Sequence, residues 1–217
     1  MLEAATRTEQ VYRQLRADIL GGRVEPGAQL AFAALRDAYG ASMGVLREAL
    51  MRLTAEGLTV AEAQRGFRVV SLSLDDLRDL TDTRVMIEGA VLAESIAHGD
   101  LDWEAQVVAA HHRMERTEKF DAAGAVTGPW AEAHQAFHVA LLSASRSPRK
   151  LAIAANLRAS AEVYRRWSIP FEATPRDVAA EHAAIMANAL ARDAEGAVAA
   201  LASHLSLTRD LIVGGVA

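Results

Sequence analysis

Strand-like sequence is confined to one short part of this chain. Leu58-Thr59-Val60 and Phe67-Arg68-Val69-Val70 are β-prone runs separated by Ala61 to Gly66, the pattern of a hairpin, whereas the other periodic stretches repeat their apolar residues at helical spacing. The fold class is therefore mainly α, and the hairpin must pack on helices. Three helices are expected ahead of it. Thr8 is a candidate N-cap for the first, in which Val11, Leu15 and Ile19 form a stripe that ends at Gly21-Gly22. A turn at Pro26-Gly27 leads to a second helix from Leu30 to Tyr39, closed by Gly40. The third starts near Ser42, buries Val45, Leu46, Ala49, Leu50 and Leu53, and ends at Gly57. Three helices and a hairpin describe an N-terminal winged helix-turn-helix over residues 1–72.

Ser73 is a candidate cap for a long helix reaching about His98, with Asp76 at the place of a capping-box acid. From there to the end the sequence reads as an all-α helical bundle, residues 73–217. Helices are expected near 102–118, 129–145, 148–167, 175–191 and 195–213. The breaks fall at Gly99-Asp100, Gly124 to Pro129, Ser147-Pro148, Pro170 to Pro175 and Arg192 to Gly196.

The chain has no cysteine, so a transition-metal site must be built from His, Asp or Glu. No signal-like start and no apolar run of spanning length is present, which predicts a cytoplasmic protein that does not engage a membrane. A net charge of -5 argues against indiscriminate coating of nucleic acid. The balance is uneven, however. Residues 1–70 hold 9 Arg against 8 acidic residues, and the remainder holds 14 Lys plus Arg against 20. A phosphate-bearing partner is thus expected at the N-terminal part.

A recognition helix lays its N-terminal residues against base edges in the major groove while the wing holds phosphates. Here those places are Ser42, Met43, Gly44 and Arg47 on the third helix and Arg65 and Gly66 at the wing, which makes them the candidate DNA-binding residues. The stretch Val11 to Val70 resembles the DNA-binding domain of the GntR superfamily. The resemblance rests on Leu46-Arg47-Glu48-Ala49-Leu50, Arg52-Leu53 and Glu56-Gly57-Leu58, with Ile19-Leu20-Gly21-Gly22 and Pro26-Gly27 before them. It implies a double-stranded DNA operator as partner and a homodimer. The chain departs from the family where it commonly has Ser-Arg-Thr-Pro, reading Ser42-Met43-Gly44-Val45, and where the second helix opens, reading Ala31-Phe32-Ala33-Ala34. A domain that keeps the fold but not the binding is the alternative.

In the second part, His134 and His138 are four apart and share one helix face with Trp130, Phe137 and Leu141. His182 lies on a stripe with Val178, Ile185, Met186 and Ala189, and His204 lies among Leu201, Leu205 and Thr208. The midpoint of His182 and His204 is residue 193, inside an expected helix break. An antiparallel hairpin would therefore set the two at one height. Four converging neutral imidazoles suit a divalent transition metal, zinc or nickel, better than magnesium or calcium. Core histidines held by hydrogen bonds are the alternative.

This part resembles the FCD effector domain of the FadR-like branch. In its metal-binding members, Asp-x-x-Phe-His and two later histidines supply the ligands. The corresponding run here is His134-Gln135-Ala136-Phe137-His138, followed by Glu181-His182 and Ser203-His204-Leu205, so a histidine stands where aspartate is usual. The resemblance implies a small carboxylate effector, for which Arg84, four residues before Glu88, is the candidate ligand-binding residue. An intrahelical ion pair is the other reading of Arg84. Arg158, Tyr164, Arg165 and Arg166 are further candidates to border a cavity, with a solvated basic face the alternative for the last two. A metal-dependent enzyme is disfavoured, because Gln135 occupies the place of the general base in a His-Glu-x-x-His peptidase. The expected activity is a metal- and carboxylate-responsive DNA-binding regulator of transcription and not an enzyme.

Overall fold

A computed structural model describes residues 6–63, 65–71, 73–122, 124, 126–167 and 176–216. The chain divides into two compact units, Met1–Leu77 with Asn156–Trp167, and Arg78–Ala155 with Ser168–Ala217.

The first unit opens with α1 (Arg7–Leu20), β1 (Gln29–Leu30), α2 (Phe32–Tyr39) and α3 (Met43–Ala55), followed by β2 (Thr59–Glu62) and β3 (Gly66–Val69). Three apolar stripes close its core: Val11, Leu15 and Ile19 of α1, Leu35 of α2, and Leu46, Leu50 and Leu53 of α3 are all buried. The cap of α1 is Thr6, whose hydroxyl accepts from the Glu9 N–H, and not Thr8. Thr8 lies inside the helix and donates to Glu48 Oε2 at 3.2 Å. Gly40, at φ +56, ends α2 in the left-handed conformation that glycine adopts without strain.

The expected hairpin is present, with Thr59 opposite Val69 and Glu62 opposite Gly66. A third strand, β1, pairs with the other edge of β3, giving the antiparallel order β1-β3-β2. The second helix accordingly begins at Phe32 and not at Leu30, which is spent on the sheet.

Residues 156–167 add one helical segment to this unit. Val163 is buried in its core, and Ser160 Oγ donates to the Glu56 carbonyl at 3.4 Å. Ser73 Oγ accepts from the Asp76 N–H as a cap should, but the Asp76 carboxylate is taken by the Tyr164 hydroxyl at 2.5 Å.

The remaining helices are α4 (Leu74–His98), α5 (Leu101–Glu115), α6 (Gly128–Leu142), α7 (Pro148–Trp167), α8 (Val178–Leu190) and α9 (Ala194–Val216). Side-chain caps at Asp100, Thr127 and Asp177 fix the starts of α5, α6 and α8. Beyond the wing, an isolated bridge between Phe120 and Val126 is the one β pairing among the described residues. The break expected at Pro170 to Pro175 lies outside the described residues. The core of the second unit is a layer of Val91, Leu92, Trp103, Val107, Phe137, Leu141, Ile185 and Leu201.

The connection from α8 to α9 is only Ala191 to Asp193, so the two helices return on each other. Arg192 turns the corner at φ +62, and its guanidinium is held by the Ile96 carbonyl at 2.7 Å and by Glu104.

Candidate functional site

The α8–α9 hairpin and α6 bring four imidazoles together. The rings of His182 and His204 lie 4.5 Å apart between centroids, as the register about residue 193 predicts. On α6, His134 and His138 are 4.7 Å apart and stand 4.9 and 5.4 Å from His182. One possible ligand nitrogen from each of the four lies within 4.8 Å of the others. His138, His182 and His204 are buried, while His134 is half-buried and stacks on Trp130 at 4.9 Å. Phe137, fully buried, meets His138 and His182 edge-on and fixes their orientation.

Burial disfavours the charged form of two of these rings, His182 and His204. Burial, reinforced by the neighbouring His204, pulls His182 down to about 2. Burial lowers His204 as well, against the hydrogen bond to Glu181 that favours its protonated form. His182 Nε2 is buried with no hydrogen-bond partner. A ring nitrogen left unpartnered in an apolar core costs about 1–3 kcal/mol unless something binds it. The donors thus fit a borderline metal in spacing, in the neutral form favoured at His182 and His204, and in the orphaned nitrogen.

Behind the cluster stands a charged pair that periodicity does not disclose. His204 Nδ1 is 2.7 Å from Glu181 Oε2. Arg176 grips the same carboxylate with two contacts of 2.7 Å and also reaches the His204 carbonyl at 2.8 Å and Thr208 Oγ1 at 2.9 Å. Burial alone would raise the Glu181 carboxyl, but the hydrogen bonds from His204 and Arg176 outweigh it and hold it at about 2. A carboxylate ionised near neutral pH beside Nδ1 favours the tautomer with the imidazole proton there and leaves Nε2 as the donor atom. The hairpin register that pairs 182 with 204 also sets Glu181 near His204, while Arg176 reaches Thr208 from just before α8. That was the signal available in the sequence.

Arg84 donates from Nε to Glu88 Oε1 at 2.7 Å, in a pair that is largely out of solvent. Its Nη groups make no hydrogen bond among the described residues, and its charge is felt at His204. The ion pair read as the alternative is therefore present, and it leaves the outer guanidinium available. His111, a further buried histidine, packs edge-on against Phe137 at 5.2 Å with Nε2 unpartnered, outside the four-ligand group. Tyr164 and Arg165 belong to the first unit, where Tyr164 holds Asp76 and Arg165 pairs with Glu162 at 2.6 Å. The Arg166 side chain lies outside the described residues.

On the winged unit, Ser42 caps α3 by accepting from Val45 N–H at 3.5 Å. Met43, Arg47 and Met51 follow at four-residue spacing as its outward stripe, with both methionines more than half exposed. Gly44 opens onto free space. Gly66 sits at φ +88 beside the exposed Arg65, whose carbonyl receives the Gln29 side chain.

Charge pairing sorts the arginines. Arg13, Arg16, Arg23, Arg52 and Arg68 are each matched by a carboxylate. Arg7 is spent on the carbonyls of Tyr39 and Gly40. Arg47, 5.7 Å over the Phe32 ring, and Arg65 form no ion pair among the described residues.

These features define a winged helix-turn-helix protein with an all-helical second domain built around internal histidines. The family profile "Bacterial regulatory proteins, gntR family" matches residues 7–69, and that of the FCD domain matches residues 79–207. The chain is 39% identical to the HTH-type transcriptional regulator BphR of Paraburkholderia xenovorans strain LB400, over 91% of this chain and 81% of that one. It is 34% identical to the HTH-type transcriptional repressor GlaR of Escherichia coli K12, over 89% and 90%. Among solved structures, Escherichia coli McbR/YncC superposes with a TM-score of 0.76 at 20% identity, covering 97% of this chain and 99% of that one. The chain belongs to the GntR family of bacterial transcriptional regulators and carries an FCD domain.

Proposed function

We propose that this regulator responds to a metal and a small carboxylate, acting as a cytoplasmic homodimer on a double-stranded DNA operator. Residues 1–72 read DNA, and residues 73–217 sense the effector and carry the dimer contact, the two-fold arrangement matching the symmetry of such operators. The observation that carries this reading is the convergence of His134, His138, His182 and His204 on one point inside the FCD domain. These four would hold zinc or nickel, which supplies a Lewis-acid centre able to accept a carboxylate oxygen. Arg84 offers its outer guanidinium to the same anion. The relatives are regulators and Gln135 cannot serve as a general base, so the metal's task is binding and not turnover.

The effector acts only if it binds the DNA-competent and incompetent arrangements unequally. The test is operator affinity of the full chain with metal removed, with zinc or nickel restored, and with a panel of small mono- and dicarboxylates. A shift of about fivefold or more with metal and one carboxylate class is expected. Identical affinity under every condition would refute the sensing role.

Met43 and Gly44 favour a second reading, a regulator fold with a weakened DNA face. Arg47→Ala separates the two: loss of salt-dependent binding supports reading by α3, and an unchanged affinity at every salt concentration supports the weakened face.

A further inference from the structure

Met43 is the first residue of α3, and it is 58% exposed at the end of the helix that enters the groove first. Beside it, a cavity of about 380 Å³ is lined by Phe32, Ala33, Arg36, Ser42, Met43 and Leu46. Its floor is apolar and its rim is cationic. Arg36 pairs loosely with Asp37, at 3.9 Å, and Arg47 follows one turn after Met43 on the same face with no ion pair among the described residues. That pattern, an apolar seat bordered by exposed guanidinium groups, complements an apolar group carried on a polyanion.

We infer that Met43, backed by Phe32, reads the C5-methyl group of a thymine in the major groove. The inference rests on the DNA-reading role proposed above and names what that surface selects. The major-groove edges of the bases carry hydrogen-bond acceptors, amino donors and one apolar group, the thymine methyl. A methionine thioether has no N–H or O–H to donate. Laid over guanine O6 and N7 or over adenine N7, it would strip water from acceptors and return nothing. Over the thymine methyl it buries apolar surface on both sides. Gly44 next to it carries no side chain and faces open space, so position 44 adds no group beside Met43. The Ser42 hydroxyl accepts the Val45 N–H as a cap. Met43 then discriminates by shape and apolar contact where an arginine would use hydrogen bonds to guanine, and the Ser42 O–H stays free to donate.

The experiment starts from duplexes enriched from a random-sequence library by the full-length chain, in which each thymine is then replaced in turn by deoxyuridine, which removes only the methyl group. The parent is expected to lose about fourfold in affinity at one thymine of each half-site, the worth of burying one methyl group. Met43→Ala is expected to bind the thymine and uracil duplexes alike. Met43→Leu should keep the preference, and Arg47→Ala should weaken both duplexes while leaving their ratio intact. Indifference of the parent to every replacement, or a thymine preference that survives in Met43→Ala, overturns the inference while leaving DNA binding in place. Failure to enrich any duplex removes the DNA-reading role itself, and the inference with it.

Discussion

The Nδ1 atom of His204 lies 2.7 Å from Oε2 of Glu181, and Arg176 donates to both oxygens of that carboxylate. The arrangement does three things for a metal ligand. It fixes the tautomer, it holds the ring plane against rotation, and it makes Nε2 more basic. Glu181→Ala should weaken zinc binding by about 10- to 100-fold, measured by competition with a chromophoric chelator. Glu181→Gln, which can still accept from Nδ1, should lose less. Equal affinities for the two variants and the parent would detach Glu181 from the metal centre.

Stability of the metal-free protein should fall with acid, and the sign follows from His182. Its folded pKa of about 2 is below the ordinary imidazole value of 6.5, so between those limits the unfolded chain binds the additional proton. Stability is full above about 6.5 and drains away as pH falls toward 2. His204 is lowered in the same direction, and Glu181, held at about 2, adds a further loss below 4.5. Thermal melts of chelator-treated protein across this range should show a falling midpoint, with a shallower slope for His182→Asn. A flat profile above pH 5 would contradict the buried neutral cluster.

Phe137 supports three of the histidine rings from a fully buried position. Phe137→Ala should cost about 3–5 kcal/mol by the usual transfer and cavity terms. Chemical denaturation of the metal-free chain measures it, and zinc should recover only part of the loss because the rings it ligates are no longer braced.

At the wing, Arg65 has no carboxylate partner among the described residues and is expected on a phosphate. Arg65→Ala should weaken binding by a similar factor for every duplex sequence. It should also reduce the slope of log affinity against log salt by about one for each wing engaged. A loss confined to one sequence would make Arg65 a base reader.

The elements whose causes are local were legible in the sequence, and those whose causes are distant were not. The stripes of α1 and α3, the Ser42 cap and the Gly40 stop are written within a few residues of where they act. β1 is two residues long and exists because Leu30 finds Phe67 across the sheet, a pairing that no local pattern around Pro26-Gly27 announces. The last turns of α7 carry the same helical period as its first, and nothing in that period says that Val163 packs in the core of the winged unit. The four histidines were traceable because each rides an apolar stripe, and one register argument fixed the pair from α8 and α9. Glu181 and Arg176 looked like ordinary surface charges. Their role arises only where the hairpin sets them behind His204.

The central claim is the metal centre, and the most direct test is elemental analysis of the full chain made without a polyhistidine tag and purified without chelator. About one equivalent of zinc or nickel per chain is expected in the parent, with His182→Ala and His204→Ala each retaining a small fraction of it. Less than about a tenth of an equivalent in the parent, with no uptake when zinc or nickel is added, would return the four histidines to the role of core side chains.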